Sequence, residues 1–361
     1  MSVSILKTRR GFAGNPTAEM QAVAKAVPAP SAGSSIGHLM RRPEMGSFLG
    51  MIAVFAFFAI FGGANFVTAG GVASWLNVAS EIGIVALPVG LLMIAGELDI
   101  SIGSVIPAAS MTVAIISGFY GLPIIVGVLA ALALGLLVGF INGVLVIRTA
   151  VPSLIVTLGS LFAVAGLTLG ISIILTGSTG VAIQADPLAK AILGQFVGGM
   201  FQVTIFWWLG AAVVVGYLLH FSRYGNWIFA LGGDKVSARN AGIPTDRVII
   251  LLFMGSGLCA AFVGMSQALL YNSAQVSTGQ SFIFNSIISV VIGGVLLTGG
   301  FGSVVGIVFG TVTFAIVNQG IFYTGFDANW ASLIIGVLLL AAVLMNNTFR
   351  KMALTYAPKK K

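Results

Sequence analysis

From Gly121 to Ile147 no side chain is charged, and uncharged apolar runs of this kind recur along most of the chain. A helix crossing a hydrocarbon core of about 30 Å needs roughly 20 consecutive apolar residues, and runs of that length are not found on the surface of a water-soluble domain. Composition says the same. Of 361 residues, 58% are hydrophobic and only 7% are charged, against about 25% charged in an average soluble domain. A soluble enzyme is excluded. The 48 glycines and 11 prolines fit, because small residues let membrane helices approach closely and helix breaks are tolerated where neighbouring protein re-satisfies the backbone. The single cysteine, Cys259, lies in the apolar run LLFMGSGLCAAFVGM. It reads as a packing residue, with no partner for an intrachain disulfide.

Hydropathy predicts ten helices, near 48–63, 76–95, 101–118, 122–147, 153–175, 201–221, 247–270, 282–298, 302–323 and 329–346. The fold class is therefore an all-α polytopic membrane protein. Residues 1–46 are polar, basic and rich in Ala, Pro and Ser, and read as a disordered tail; 47–349 form the transmembrane domain, and 350–361 a basic C-terminus. The first apolar run lies too far from the N-terminus for a cleaved signal, so it reads as an uncleaved helix.

An even number of spans puts both termini on one side, and the basic residues test this, since Lys and Arg concentrate in the cytoplasm. With the N-terminus inside, the tail holds Lys7, Arg9, Arg10, Lys25, Arg41 and Arg42, and the connection after the fourth helix holds Arg148. Arg223, Lys235, Arg239 and Arg247 follow the sixth helix, and Arg350, Lys351, Lys359, Lys360 and Lys361 close the chain. Sixteen of the 17 basic residues thus fall inside, with Lys190 alone outside. The net charge of +8 records topology rather than affinity for nucleic acid, and both termini are expected in the cytoplasm of a bacterial inner membrane.

Two connections are long. The outer one, 176–200, mixes Gly, Pro and apolar residues, as expected of a segment lying on the membrane or receiving a partner. The inner one, 222–246, carries helix signals: Asp234 as N-cap, helix-compatible residues from Lys235 to Ala241, then Gly242 and Pro244 as a stop. A short capped helix between two spans is a handle for a partner.

Motifs for chemistry are absent from the sequence. There is no Gly-Lys dipeptide to form a Walker A loop and no HExxH, and the only histidines are His38 and His220. No catalytic residue, metal ligand or cofactor is assigned to this chain. Ser256, between Gly255 and Gly257, has no evident base and reads as helix packing. The acidic residues say more. Glu97 and Asp99 lie in GELDISIGS between two apolar segments, where ionisable groups are costly and mark function. Asp99 has two compatible readings: N-cap of the third helix, with Ser101 and Ser104 serving the first-turn amides, or part of a pathway wall. Glu81 is expected to reach the headgroups. Asn142, Gln267, Asn318 and Gln319 are polar residues within or beside spans, suited to interhelical hydrogen bonds or to a polar pathway. The candidate substrate pathway is Glu97, Asp99, Ser101, Asn142, Gln267 and Asn318.

The segments GELDISIGS, VPSLIVTLGSL, GNWIFALGGDKVSARNAGI, VVIGGVLLTGGFGSVVG and LLLAAVLMNN, in this order, resemble the permease subunits of ribose-type ABC sugar importers. The resemblance runs from about residue 47 to 349 and leaves the basic tail outside. It implies a fold like that of the vitamin-B12 importer, with about ten helices per subunit. It also implies two permease subunits, here a homodimer, working with a cytoplasmic ATPase that binds ATP-Mg and a periplasmic sugar-binding protein. Residues Gly233, Asp234, Lys235, Arg239, Asn240 and Gly242 then occupy the family's coupling region, which docks into the ATPase. The same superfamily includes importers of branched-chain amino acids and nucleosides. The substrate implied is a monosaccharide or related polyol, and a secondary transporter for a small polar solute is the competing reading.

Overall fold

The computed structural model describes residues 44–325 except 150 and 185, together with Leu333, Gly336, Val337 and Leu340. The tail at 1–43 and the C-terminus at 350–361 lie outside the described residues, and of the tenth predicted helix the four named positions are helical. The described residues are mostly helical. Among the described residues eight helices are long and apolar enough to cross a membrane.

The first, α1 (Glu44–Phe61), begins within the stretch read as tail, and α2 (Gly63–Phe66) is a single turn after it. Next, α3 (Ala69–Ile94) is mostly buried, which makes it the axis of the subunit. The following helix, α4 (Ile102–Val113), continues as a π-helical turn over Ala114–Phe119. Two long helices follow, α5 (Ile124–Thr149) and α6 (Ser153–Thr176). Beyond them the chain forms β1 (Gly180–Ala182), α7 (Pro187–Leu193), β2 (Phe196–Val197) and β3 (Phe201–Gln202) before re-entering as α8 (Thr204–Phe221). Two short helices, α9 (Arg223–Gly233) and α10 (Lys235–Asn240), lead to α11 (Thr245–Tyr271). After β4 (Ser273–Gln275) come α12 (Gln280–Ile292) and α13 (Val304–Gly320), the latter prolonged by a 3-10 turn over Ile321–Tyr323.

Three expected boundaries need correction. The span expected at 282–298 is the 13-residue α12, about 20 Å at 1.5 Å per residue and too short to cross alone. It stops at Gly293 and Gly294, the latter at positive φ, and Gly299, Gly300 and Gly302, also at positive φ, shape the turn that follows. The inner connection holds two helices rather than one. Hydropathy passed over α9 because its composition is mixed, but Ile228 and Leu231 bury one face while Ser222 caps it by accepting from the Tyr224 amide. The capped helix itself ends at Asn240, one residue earlier than expected.

Glycine sets how tightly the helices pack. Gly135, Gly139 and Gly143 form a ridge on α5 at four-residue spacing that meets α11. A Cβ on Gly139 would overlap the Phe253 carbonyl oxygen, and one on Gly135 the Gly257 carbonyl oxygen. Lipid tails are as apolar as leucine, so close backbone approach of this kind, rather than water exclusion, drives membrane helices together.

The two ends of the bundle differ. One end gathers Arg148, Arg223, Lys235, Arg239 and Arg247 in the connections around α5, α9, α10 and α11. The opposite end holds the outer connection, which is ordered rather than a loose strap. There β1 pairs antiparallel with β4 (Val181 against Ala274), β2 pairs with β3, and Lys190 Nζ donates to Asn272 Oδ1 at 2.9 Å.

Candidate functional site

At the basic end, α10 is built as a capped unit. Asp234, in extended backbone, accepts the Ser237 amide at 2.6 Å. The Ser237 hydroxyl, and then its amide, hold the Asp234 carboxyl below the usual carboxylate range. The cap is therefore fully charged at neutral pH, and its contribution is lost only as pH falls through that lowered value. At the other end Gly242 has φ +83° with open space around it, so backbone conformation rather than room selects glycine there. Ala238 faces inward, while Val236 leaves 67% of its surface in solvent. Val236 is an exposed apolar side chain on α10 to which caps and charges in the sequence do not point.

Two other coupling candidates have internal partners. Arg239 pairs with Asp246 and donates to Thr245 Oγ1. Lys235 Nζ reaches Glu97 Oε1 at 3.2 Å. Glu97 thus sits beside the inner helix, apart from the other pathway candidates. Gly233 ends α9, and Asn240 is the exposed last residue of α10.

Deeper in the bundle, three pathway candidates meet. The hydroxyl of Ser160 on α6 donates to Asn142 Oδ1 on α5. Asn142 Nδ2 donates to Ser101 Oγ at 2.9 Å, and Ser101 Oγ donates to Asp99 Oδ1 at 2.6 Å. Every donor in this chain points toward the carboxylate, an arrangement in which each bond polarises the next. Asp99, Ser101 and Asn142 are buried. The second carboxylate oxygen has no partner of ordinary geometry, and the Ser256 hydroxyl beside it is likewise unpartnered.

The expectation that Asp99 caps the third helix needs correction. Ser101 stands at the N-cap of α4 without a side-chain cap bond, and Asp99 instead accepts the Ser101 amide at 2.9 Å from just outside the helix. The carboxylate braces the turn into α4 rather than its first-turn amides. The backbone around it is irregular and is pinned to α6: the Leu98 amide donates to Ser153 Oγ at 3.0 Å and the Ile100 amide to Thr157 Oγ1 at 3.3 Å. Irregular backbone among membrane helices requires such side-chain partners, because no lipid group can supply them.

Asn142 and Ser160 line a cavity of about 380 Å³ between α4, α5 and α6. Its other polar lining residues, Thr112 and Thr168, bond back to carbonyls of their own helices, Ala108 and Val164. The rest of the wall is aliphatic or Met. The remaining two pathway candidates lie elsewhere. Gln267 Nε2 donates to Glu81 Oε2 at 2.8 Å, which ties Glu81 to α11 instead of the headgroups, and Asn318 bonds its neighbour Gln319. No group of three or more His, Cys, Asp or Glu side chains able to hold a metal ion occurs among the described residues.

Residues 71–343 match the family described as the permease component of branched-chain amino acid transport systems. The chain belongs to this permease family. Among its relatives, a fructose import permease of Rhizobium meliloti is 31% identical over 84% of this chain and 84% of its own length. A ribose import permease of Escherichia coli is 29% identical over 86% of this chain and 94% of its own. A xylose/arabinose import permease of Sulfolobus acidocaldarius is 29% identical over 86% and 87%. The permease described here is therefore similar, along most of its length, to permeases of ABC sugar importers, as the motifs implied.

Proposed function

We propose that this permease is the membrane-spanning subunit of an ATP-driven importer for a monosaccharide or related polyol in a bacterial inner membrane. ATP-Mg is bound and hydrolysed in a separate cytoplasmic ATPase, a periplasmic sugar-binding protein delivers the solute, and two copies of the permease form the translocating unit. The observation that carries the coupling role is α10: a helix stopped at both ends by Asp234 and Gly242, at the basic end of the bundle, with Val236 exposed. The sugar class is supported by the relatives' printed substrates. Solute passage involves the region around Asn142 and Ser160, where a buried polar network meets the 380 Å³ cavity.

The test uses permease purified from its native membranes. An ATPase should co-purify, and uptake of labelled ribose, fructose or xylose into proteoliposomes should require ATP and binding protein. Val236→Asp should reduce ATPase association by about ten-fold or more, as loss of a desolvated anchor does at a docking site, while leaving membrane insertion unchanged. Val236 is a cleaner probe than Arg239, whose reversal would also break its pair with Asp246. Uptake that follows an ion gradient with no associated ATPase would return the secondary-transporter reading. Competition by leucine rather than by sugars would favour an amino-acid importer.

A further inference from the structure

Between the inner helix and the cavity runs one short segment, residues 97–101, and each of its ends is tied to a different part of the machinery. At the first end Glu97, only 12% exposed, holds Lys235 of α10, itself 44% exposed. Next to this bridge α9 presses on the end of α3: a Cβ on Gly232 would collide with the Ile94 carbonyl, whose oxygen also accepts the Gly300 amide at 2.8 Å. The end of α9, from which α10 continues, therefore packs against the end of α3 just before the segment starts, and Lys235 supplies the contact of α10 with the segment itself. At the far end Asp99 and Ser101 hold Asn142, which holds Ser160 in the cavity wall. Between the ends, the Leu98 and Ile100 amides are bonded to α6 through Ser153 and Thr157, so the segment is fastened to α6 as well as to α5.

The cavity shows what such movement would change. The amide of Asn142 and the hydroxyl of Ser160 are engaged with each other and with Ser101, while Thr112 and Thr168 are turned onto their own helices. In this state the wall presents few free donors to a hydroxyl-rich solute. A shift of α6 against α5 would separate Ser160 from Asn142 and release both groups toward the cavity.

We propose that residues 97–101 are the transmission element of this permease, with Glu97 a positioning residue that converts displacement of α10 into opening of the Asn142–Ser160 pair at the cavity wall. The inference rests on the importer reading above and adds to it a route and a gate. An exposed ion pair contributes little to stability; here the Lys235–Glu97 pair matters as a tether, and charge reversal is the way to interrogate it.

The experiment uses permease with its ATPase and binding protein in proteoliposomes, in a Cys259→Ser background carrying Thr168→Cys as a cavity reporter. Solute uptake per ATP hydrolysed and the ATP-dependent change in maleimide labelling at position 168 are measured. Glu97→Gln should leave ATPase co-purification and hydrolysis intact, lower uptake per ATP by about five-fold or more, as expected for loss of a coupling free energy of typical size, and abolish the labelling change. Lys235→Gln breaks the same bridge from the solvent side and should likewise lower uptake per ATP hydrolysed and abolish the labelling change, whatever its effect on ATPase association as a residue of α10. The double exchange Glu97→Lys with Lys235→Glu should restore both readouts. Unchanged uptake per ATP in both single variants, or no restoration in the exchange, would overturn the proposal. Absence of an ATPase from the unsubstituted complex would instead overturn the importer reading, and the proposal with it.

Discussion

Asp99 is buried, and among the described residues no lysine, arginine or histidine is paired with it. What it does hold is the Ser101 amide and hydroxyl, both through Oδ1. An asparagine keeps an acceptor at that position, whereas a leucine leaves two buried donors without a partner, at a cost of about 1–3 kcal/mol each. Asp99→Asn is therefore expected to retain most stability in detergent and Asp99→Leu to lose it, read from thermal unfolding midpoints of the purified permease. Equal losses in both would mean that the charge, and not the acceptor geometry, holds the turn. The spacing GELDISIGS singled out Glu97 and Asp99, but could not say that two residues of separation would send one to the inner helix and the other into the polar network. The missed neighbour is Ser256, on a helix more than 150 residues further along the chain. Of its flanking glycines Gly257 packs against Gly135 while Gly255 has open space beside it, and the apposition of Ser256 to Asp99 exists only once α4, α5 and α11 are assembled.

The glycine ridge on α5 tests the packing of elements. Since a Cβ at position 139 would overlap the Phe253 carbonyl, Gly139→Leu should force α5 and α11 apart and destabilise the subunit by about 1–3 kcal/mol, the usual cost of overpacking. Gly159 on α6 has nothing within 4 Å, so Gly159→Leu should leave the unfolding midpoint nearly unchanged. A similar effect at both positions would remove close backbone approach as the reason for glycine on α5. Helix α6 illustrates a different balance. Its few fully buried residues, Ser153, Thr157 and Ser172, are all polar, while many of its apolar side chains, among them Leu154, Ile155, Phe162 and Ile174, are exposed on the outer face. This inverts the pattern of a soluble helix, as expected where lipid is the solvent and polar groups find partners only inside.

For the molecule as a whole, the partition of basic residues predicts an orientation. In a Cys259→Ser background, Val236→Cys should react with an impermeant maleimide only from the cytoplasmic side and Leu188→Cys only from the other; the reverse result would invert the topology and remove α10 from reach of a cytoplasmic ATPase. Membrane class, the approximate positions of most of the long helices, the clustering of basic residues in the connections at one end and the capped helix at Asp234 and Gly242 are legible in the sequence, because hydropathy, charge and caps act over windows of one helix or less. The family was legible as well, from motifs spread over most of the chain. Tertiary structure alone decided the rest: that Glu97 meets Lys235, that Asn142 joins Asp99 while Gln267 and Asn318 do not, and that Asn142 and Ser160 flank a cavity. Those pairings depend on how helices distant in sequence are rotated about their axes. In lipid that rotation is set by the fit of glycine ridges and buried hydroxyls between neighbours, which no single window of sequence contains.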